Sequence, residues 1–290
     1  MSRICVVGAR GLLGSSLVPV LKDKGHKVFC LSRSLDQSDC IKVDFMEQFS
    51  VNAGLDLIKP DFIVNLAAVT DVEKCEDDPH LAYLGNTLVV ENLCSWMRGN
   101  PAQSHLIQIS TDHNYDSTGF SNEEDLKIVN HYGFSKYAGE LAAQAVDATI
   151  LRTNFFGKSK CKSRKSFSDW AYDALISERQ IYAFEDVFFS PLHINTLIEL
   201  LQEIMMNPIS GTFNLGSKGG LSKAEFIFEF ANSMGLRTNN ITLTQVGEMA
   251  MRTARPKDMR MDSSKIEFVL PDIKIPTLID EIRRLNDDYK

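Results

Sequence analysis

Through the first half of this chain, short and nearly unbroken apolar runs alternate with longer amphipathic stretches. The runs lie at 4–7, 27–31, 41–43, 61–67, 105–109 and 148–152. A strand with one solvated face would alternate apolar and polar residues, whereas a strand covered on both faces reads as a continuous apolar run. Helical periodicity fills the intervals at 12–24, closed by Gly25, at 80–97, and around Tyr132. Strand and helix taking turns in this way predict an α/β fold, a doubly wound, Rossmann-like parallel sheet. Pro19, inside the first helix, costs one backbone hydrogen bond and predicts a local kink. Asp44 followed by Glu47 reads as a capping-box helix start.

After Arg152 the alternation loses its regularity. Helices are expected at 166–178, 192–206 and 222–234, the last with Ser222 as N-cap and Glu225 three residues on. The expected division is a dinucleotide-binding domain at 1–153 and a smaller α/β substrate lobe at 154–290, with part of 180–206 returning to the first domain. The basic stretch 158–165 reads as a solvated loop or as a cover near a phosphorylated ligand.

Composition narrows the class. A chain of 290 residues buries about 75% of its unfolded surface and needs no disulfides. Its six cysteines form no CxxC pair, which suits reduced, structural cysteines in a cytoplasmic protein. The net charge of −7 speaks against a nucleic-acid-coating surface. No leader precedes a signal-like segment, and no apolar run approaches the roughly 20 residues of a membrane span. Without HxxxH or a Cys/His cluster, no metal is expected, and without GxSxG, no serine hydrolysis.

Gly8, Gly11 and Gly14 follow the first strand and open the first helix. Such glycines let the backbone approach a pyrophosphate at a helix N-terminus, where free N–H groups and the dipole favour an anion. The spacing is GxxGxxG rather than the common GxGxxG. At the end of the second strand an acid would hold the ribose 2′-hydroxyl of NAD. Arg33 stands there instead and, with Arg10, suits the 2′-phosphate of NADP(H). Asp36 keeps NAD(H) open. Asp44 is placed to touch the adenine edge, although capping accounts for it equally well.

Tyr132 and Lys136 stand four apart, on one helical face. A fixed ammonium favours a phenolate, so the tyrosine becomes able to exchange a proton near neutrality. Ser110 and Thr111 follow the fifth strand, at the sheet edge where ligands bind. Thr111, one residue further out, is the better candidate to hydrogen-bond a substrate carbonyl. His113 reads as structural or solvent-facing.

Glycine turn, hydroxyl after the fifth strand and Tyr-xxx-Lys together resemble the extended short-chain dehydrogenase/reductase superfamily, and within it the dTDP-4-dehydrorhamnose reductase family. The segment 61–74, Asn86, the Ser110-Thr111-Asp112 stretch, the strand 150–153 and the tail 254–265 each resemble family segments, in order, over nearly the whole length. Two positions depart: Phe155 replaces the family's tryptophan, and Val69 its usual aromatic or histidine. The resemblance implies reduction of a 4-keto-6-deoxysugar nucleotide in dTDP-rhamnose or polysaccharide biosynthesis. Thr111, Tyr132 and Lys136 would be catalytic. Gly8, Arg10, Gly11, Leu12, Leu13, Arg33, Asp44, Phe45, Ala67, Ala68 and Lys136 would hold the cofactor. Val69, Thr70, Thr111, Asp112, Phe155 and Arg255 would hold the substrate. His113 after Asp112 replaces the second acid of the dehydratases and favours simple reduction. The alternatives are an epimerase, a reductase of a GDP- or CDP-sugar, and a non-catalytic regulatory subunit. A homodimer remains open as the assembly.

Overall fold

The computed structural model describes residues 1–33, 40–100, 104–250 and 252–290. Asp36 lies outside them. The chain divides into two compact units. Unit 1 takes Met1–Ser110, Asn130–Leu151 and Ile204–Thr212; unit 2 takes Thr111–Val129, Arg152–Glu203 and Phe213–Lys290.

Unit 1 is built on β1 (Arg3–Val7), α1 (Leu12–Asp23), β2 (Lys27–Ser32), β3 (Cys40–Lys42), α2 (Gln48–Ile58), β4 (Phe62–Asn65), α3 (Val72–Asp77), α4 (Pro79–Tyr83), α5 (Val89–Gly99), β5 (His105–Ile109), α6 (His131–Ala143) and β6 (Ala148–Thr153). The strands β1 to β6 pair in parallel, and the seven-stranded sheet runs β11-β6-β5-β4-β1-β2-β3 with β11 at Gly211–Leu215. This is the expected doubly wound α/β sheet. Every residue of β5 and β6 is buried. The core joins Cys5, Val7 and Ile63 of the sheet to Val51, Leu55 and Ile58 of α2 and to Val90, Leu93 and Trp96 of α5. The strand order reverses between β1 and β4, and the crevice at such a reversal is where parallel sheets take ligands.

Two local expectations change. Asp44 does not start a helix: its carboxylate accepts from Met46 N at 3.0 Å, and α2 begins after Glu47 without a side-chain cap. An aspartate that bonds the backbone two residues on makes a turn in place of a cap. The helix expected at 80–97 is interrupted by a π-helical turn at Leu84–Leu88. Gly25, at φ +81°, ends α1 as expected.

Unit 2 contains β7 (Phe155–Phe156), α7 (Phe167–Ile176), β8 (Ile181–Phe184), β9 (Phe188–Phe189), β10 (Leu192–His193), the start of α8 (Ile194–Met206), β12 (Leu221–Ser222), α9 (Lys223–Met234), β13 (Ile241–Thr244), β14 (Asp258–Met259), α10 (Ser264–Val269), α11 (Leu278–Arg283) and α12 (Leu285–Tyr289). Full capping boxes open α7, through Ser166 and Asp169, and α9, through Ser222 and Glu225. Phe156, Phe189, Phe226 and Phe230 form its aromatic core, with Phe156 and Phe226 edge-to-face at 4.8 Å.

Candidate functional site

In unit 1, Gly8 turns at φ +83°, and a Cβ there would stand 2.7 Å from the Ala67 nitrogen. Only glycine lets the loop after β1 meet the loop after β4 so closely. A Cβ at Gly14 would stand 2.6 Å from the backbone of Ala9. Gly11 is the N-cap of α1 and offers no side-chain cap, so the helix end at Leu12 and Leu13 keeps the donors an anion uses. The turn therefore fits a dinucleotide pyrophosphate. Arg33 is exposed just past β2, Asp44 is exposed, and Phe45 is packed into the core, its carbonyl accepting from Asn92 Nδ2 at 2.8 Å.

The loop after β4 is held from both ends. Asn65 Oδ1 accepts from Ala67 N at 3.2 Å. Asn86, in the π-helical turn, accepts from Val69 N at 2.8 Å and donates to Val69 O at 3.1 Å and to Ser135 Oγ at 2.9 Å. Contact with α6 is so tight that a Cβ at Gly139 would stand 2.4 Å from Asn86 O. Extra-residue turns of this kind recur at functional sites. Here the turn fixes the backbone at Val69 against the helix that carries Tyr132. Thr70 is exposed beside it.

Tyr132 and Lys136 are both buried on α6. Lys136 Nζ donates to Ile109 O, the last carbonyl of β5, at 2.6 Å. Burial pulls its pKa down from 10.5 to about 8, partly offset by the charge of Glu140. Glu140 is itself buried and accepts from Ser110 Oγ. Ser110 is thus committed to a structural bond.

Unit 2 begins at Thr111. Thr111 Oγ1 caps a short turn, accepting from His113 N at 3.2 Å, and is 3.4 Å from Asp112 Oδ1. A cavity of about 280 Å³ opens in this unit. His113, Asn154, Lys223 and Arg255 supply its polar lining, and Phe167, Trp170, Tyr182 and Phe184 its aromatic wall. Phe155 is not among the lining residues; it pairs with Leu192, and the neighbouring Asn154 faces the cavity instead. Asn154 Nδ2 donates to Asp112 Oδ2 at 2.6 Å. Burial raises the Asp112 carboxyl to about 6, against the lowering effects of Asn154, Lys223 and Thr111. His113 is driven down to about 3, by burial first and then by the charges of Arg255 and Lys223, so its imidazole is neutral at pH 7. Two cations, a neutral imidazole and a flat aromatic wall suit an anionic ligand with a planar ring.

Sequence reasoning did not single out Asn154, Lys223 or the aromatic wall. One signal was present: a lysine at the first position of a helix opposes the dipole. Among the described residues no cluster of His, Cys, Asp or Glu could hold a metal, and no helix is long and apolar enough to cross a membrane.

A glycine turn at the reversal of a parallel sheet, with a buried Tyr-xxx-Lys pair on α6, defines an extended short-chain dehydrogenase/reductase. Within that superfamily the chain belongs to the family described as RmlD substrate binding domain, a family of sugar-nucleotide reductases, whose model matches residues 2–289. It is 29% identical over 290 residues to "probable low-salt glycan biosynthesis reductase Agl14" of Haloferax volcanii, covering 97% of this chain and 96% of that one. To dTDP-4-dehydrorhamnose reductase of Escherichia coli it is 25% identical over 291 residues, covering 94% of each. Its fold matches the crystal structure of dTDP-4-dehydrorhamnose reductase from Bacillus anthracis in complex with NADP, with a TM-score of 0.88, 22% identity and 99% of both chains covered.

Proposed function

We propose that the chain reduces the 4-keto group of a nucleotide-activated 6-deoxysugar, as an NADPH-dependent oxidoreductase of glycan biosynthesis in the cytoplasm. The observation that carries this reading is the buried Tyr132–Lys136 pair beside the carboxyl end of β5. The dTDP-4-dehydrorhamnose reductase relatives, one solved with NADP, support the substrate class and the choice of cofactor. Leu12 and Leu13, at the open end of α1, take the pyrophosphate, and Arg33 with Arg10 takes the 2′-phosphate. When bound, the cofactor supplies hydride to the keto carbon. Tyr132 then gives its proton to the developing alkoxide, and the Lys136 ammonium stabilises the phenolate left behind. Thr111 donates to the keto oxygen and stabilises the charge that grows on it. Asn154 keeps Asp112 oriented next to that hydroxyl. Arg255 and the aromatic wall hold the nucleotide end.

The test is a panel of 4-keto-sugar nucleotides on dTDP, UDP, GDP and CDP carriers, with NADPH or NADH, following loss of the reduced cofactor. Turnover with NADPH and one carrier is expected. Tyr132→Phe should lose about 10²–10⁴-fold in rate while still binding NADPH. Flat traces with every member, or full turnover by the variant, would refute the assignment.

A further inference from the structure

Lys223 occupies a place that packing alone does not explain. It opens α9 directly after the N-cap Ser222, within the capping box that Ser222 forms with Glu225, where the helix dipole works against a cation. Its ammonium lies over the Phe189 ring at 3.3 Å and over the Phe167 ring at 4.6 Å from their centroids. Ring faces attract the charge but accept poorly from three N–H donors. Among the described residues no side-chain hydrogen bond of Lys223 adds to these contacts. A methionine would fill the same apolar slot without the cost of stripping water from an ammonium. Lys223 also lines the cavity, together with His113, Asn154 and Arg255.

The charges around it are unbalanced. Asp112 is the acid whose field reaches Lys223, and its carboxyl is already held up at about 6. Burial brings Lys223 itself down to about 8, which is the mark of an ammonium short of anionic partners. An arriving anion would restore what burial removed.

We propose that Lys223 is a substrate-binding residue whose ammonium takes an anionic oxygen of the nucleotide diphosphate, sharing that group with Arg255 across the unit 2 cavity. This rests on the sugar-nucleotide reading above and adds the residue that distinguishes a charged diphosphate from a neutral ligand of the same shape. Trp170 lines the cavity, so its fluorescence reports occupancy directly.

The experiment titrates dTDP, UDP, GDP and CDP into the full chain and into Lys223→Met. The diphosphate that binds the wild type most tightly should bind the variant roughly 10- to 100-fold more weakly, the range for loss of a charge-assisted bond. NADPH affinity should not change, which reports an intact fold in unit 1. A second readout uses the wild type alone between pH 7.5 and 9.5. Asp112, near 6, and His113, near 3, titrate below this window. Wild-type affinity should therefore fall as pH rises past about 8, while that of Lys223→Met stays flat. Unchanged affinity in the variant, parallel pH curves, or no diphosphate binding by the wild type would each overturn the proposal. Binding needs no turnover. Diphosphate capture through Lys223 without NADPH oxidation would remove the reductase reading and leave this one standing.

Discussion

Lys136 allows a quantitative test that needs no substrate. Its ammonium is 4% exposed and sits under the carbonyl of Ile109. Burial brings its pKa from 10.5 to about 8 in the folded chain. One pH unit corresponds to 1.36 kcal/mol, so keeping this lysine charged costs roughly 3 kcal/mol at pH 7. The sign follows from proton counts. Between about 8 and 10.5 the unfolded chain holds a proton that the folded chain has lost, so stability rises with pH across that window and the cost is fully present below it. Lys136→Met carries no such proton. Urea unfolding of both proteins at pH 8 and pH 10 should show the wild type gaining roughly 2 kcal/mol on the variant. Every other titrating lysine and tyrosine is common to both and cancels in the difference. Stability curves that run parallel over this range would mean that Lys136 keeps an ordinary pKa, and the case for a tuned pair on α6 would fall with it.

Other outcomes follow from particular contacts. Gly8→Ala forces a Cβ to 2.7 Å from the Ala67 backbone at a positive φ, so NADPH affinity measured by fluorescence should drop at least tenfold; undiminished affinity would dissociate that turn from the cofactor. Asn86→Ala removes three hydrogen bonds that hold Val69 and Ser135, and should cost roughly 2–4 kcal/mol in urea unfolding; a loss below 1 kcal/mol would show the π-helical turn to be dispensable. Asp112, raised from 3.8 to about 6, destabilises the native state above pH 6 and not below 3.8. Asp112→Asn should therefore melt higher than the wild type at pH 7.5 by more than it does at pH 4.5, and an equal difference at both would contradict the burial argument.

What the sequence made legible is what local chemistry decides. The strands of unit 1 could be read because both faces are covered, which leaves few polar residues to interrupt them. The start of α9 could be read because Ser222 and Glu225, three residues on, satisfy each other. Asp44 shows the limit: the same spacing serves a turn when the carboxylate reaches Met46 first. The π-helical turn was not legible, because it depends on Asn86 finding Val69 and Ser135, 17 and 49 residues away. Strand β11 was missed for a similar reason: Asn214 interrupts its apolar run and is buried because Tyr115, Ser121, Glu123 and Asp262 supply its bonds. At the site, the Tyr-xxx-Lys spacing and the glycine turn are local and were found. The cavity lining runs from His113 to Met259, and no window of sequence places Asn154 beside Lys223.

The split of unit 1 into three chain segments has a consequence for biosynthesis. Leu151 closes the second segment, and the third begins only at Ile204. A chain emerging from the ribosome must deliver the whole of Arg152–Glu203 before it can supply the strand that flanks β6. At about 5–20 residues per second the wait lasts several seconds. During that interval β6, whose residues are all buried in the finished protein, presents an open apolar edge. The nascent protein is thus most vulnerable to mispairing late in its own translation, and slow codons between Leu151 and Ile204 would prolong that exposure.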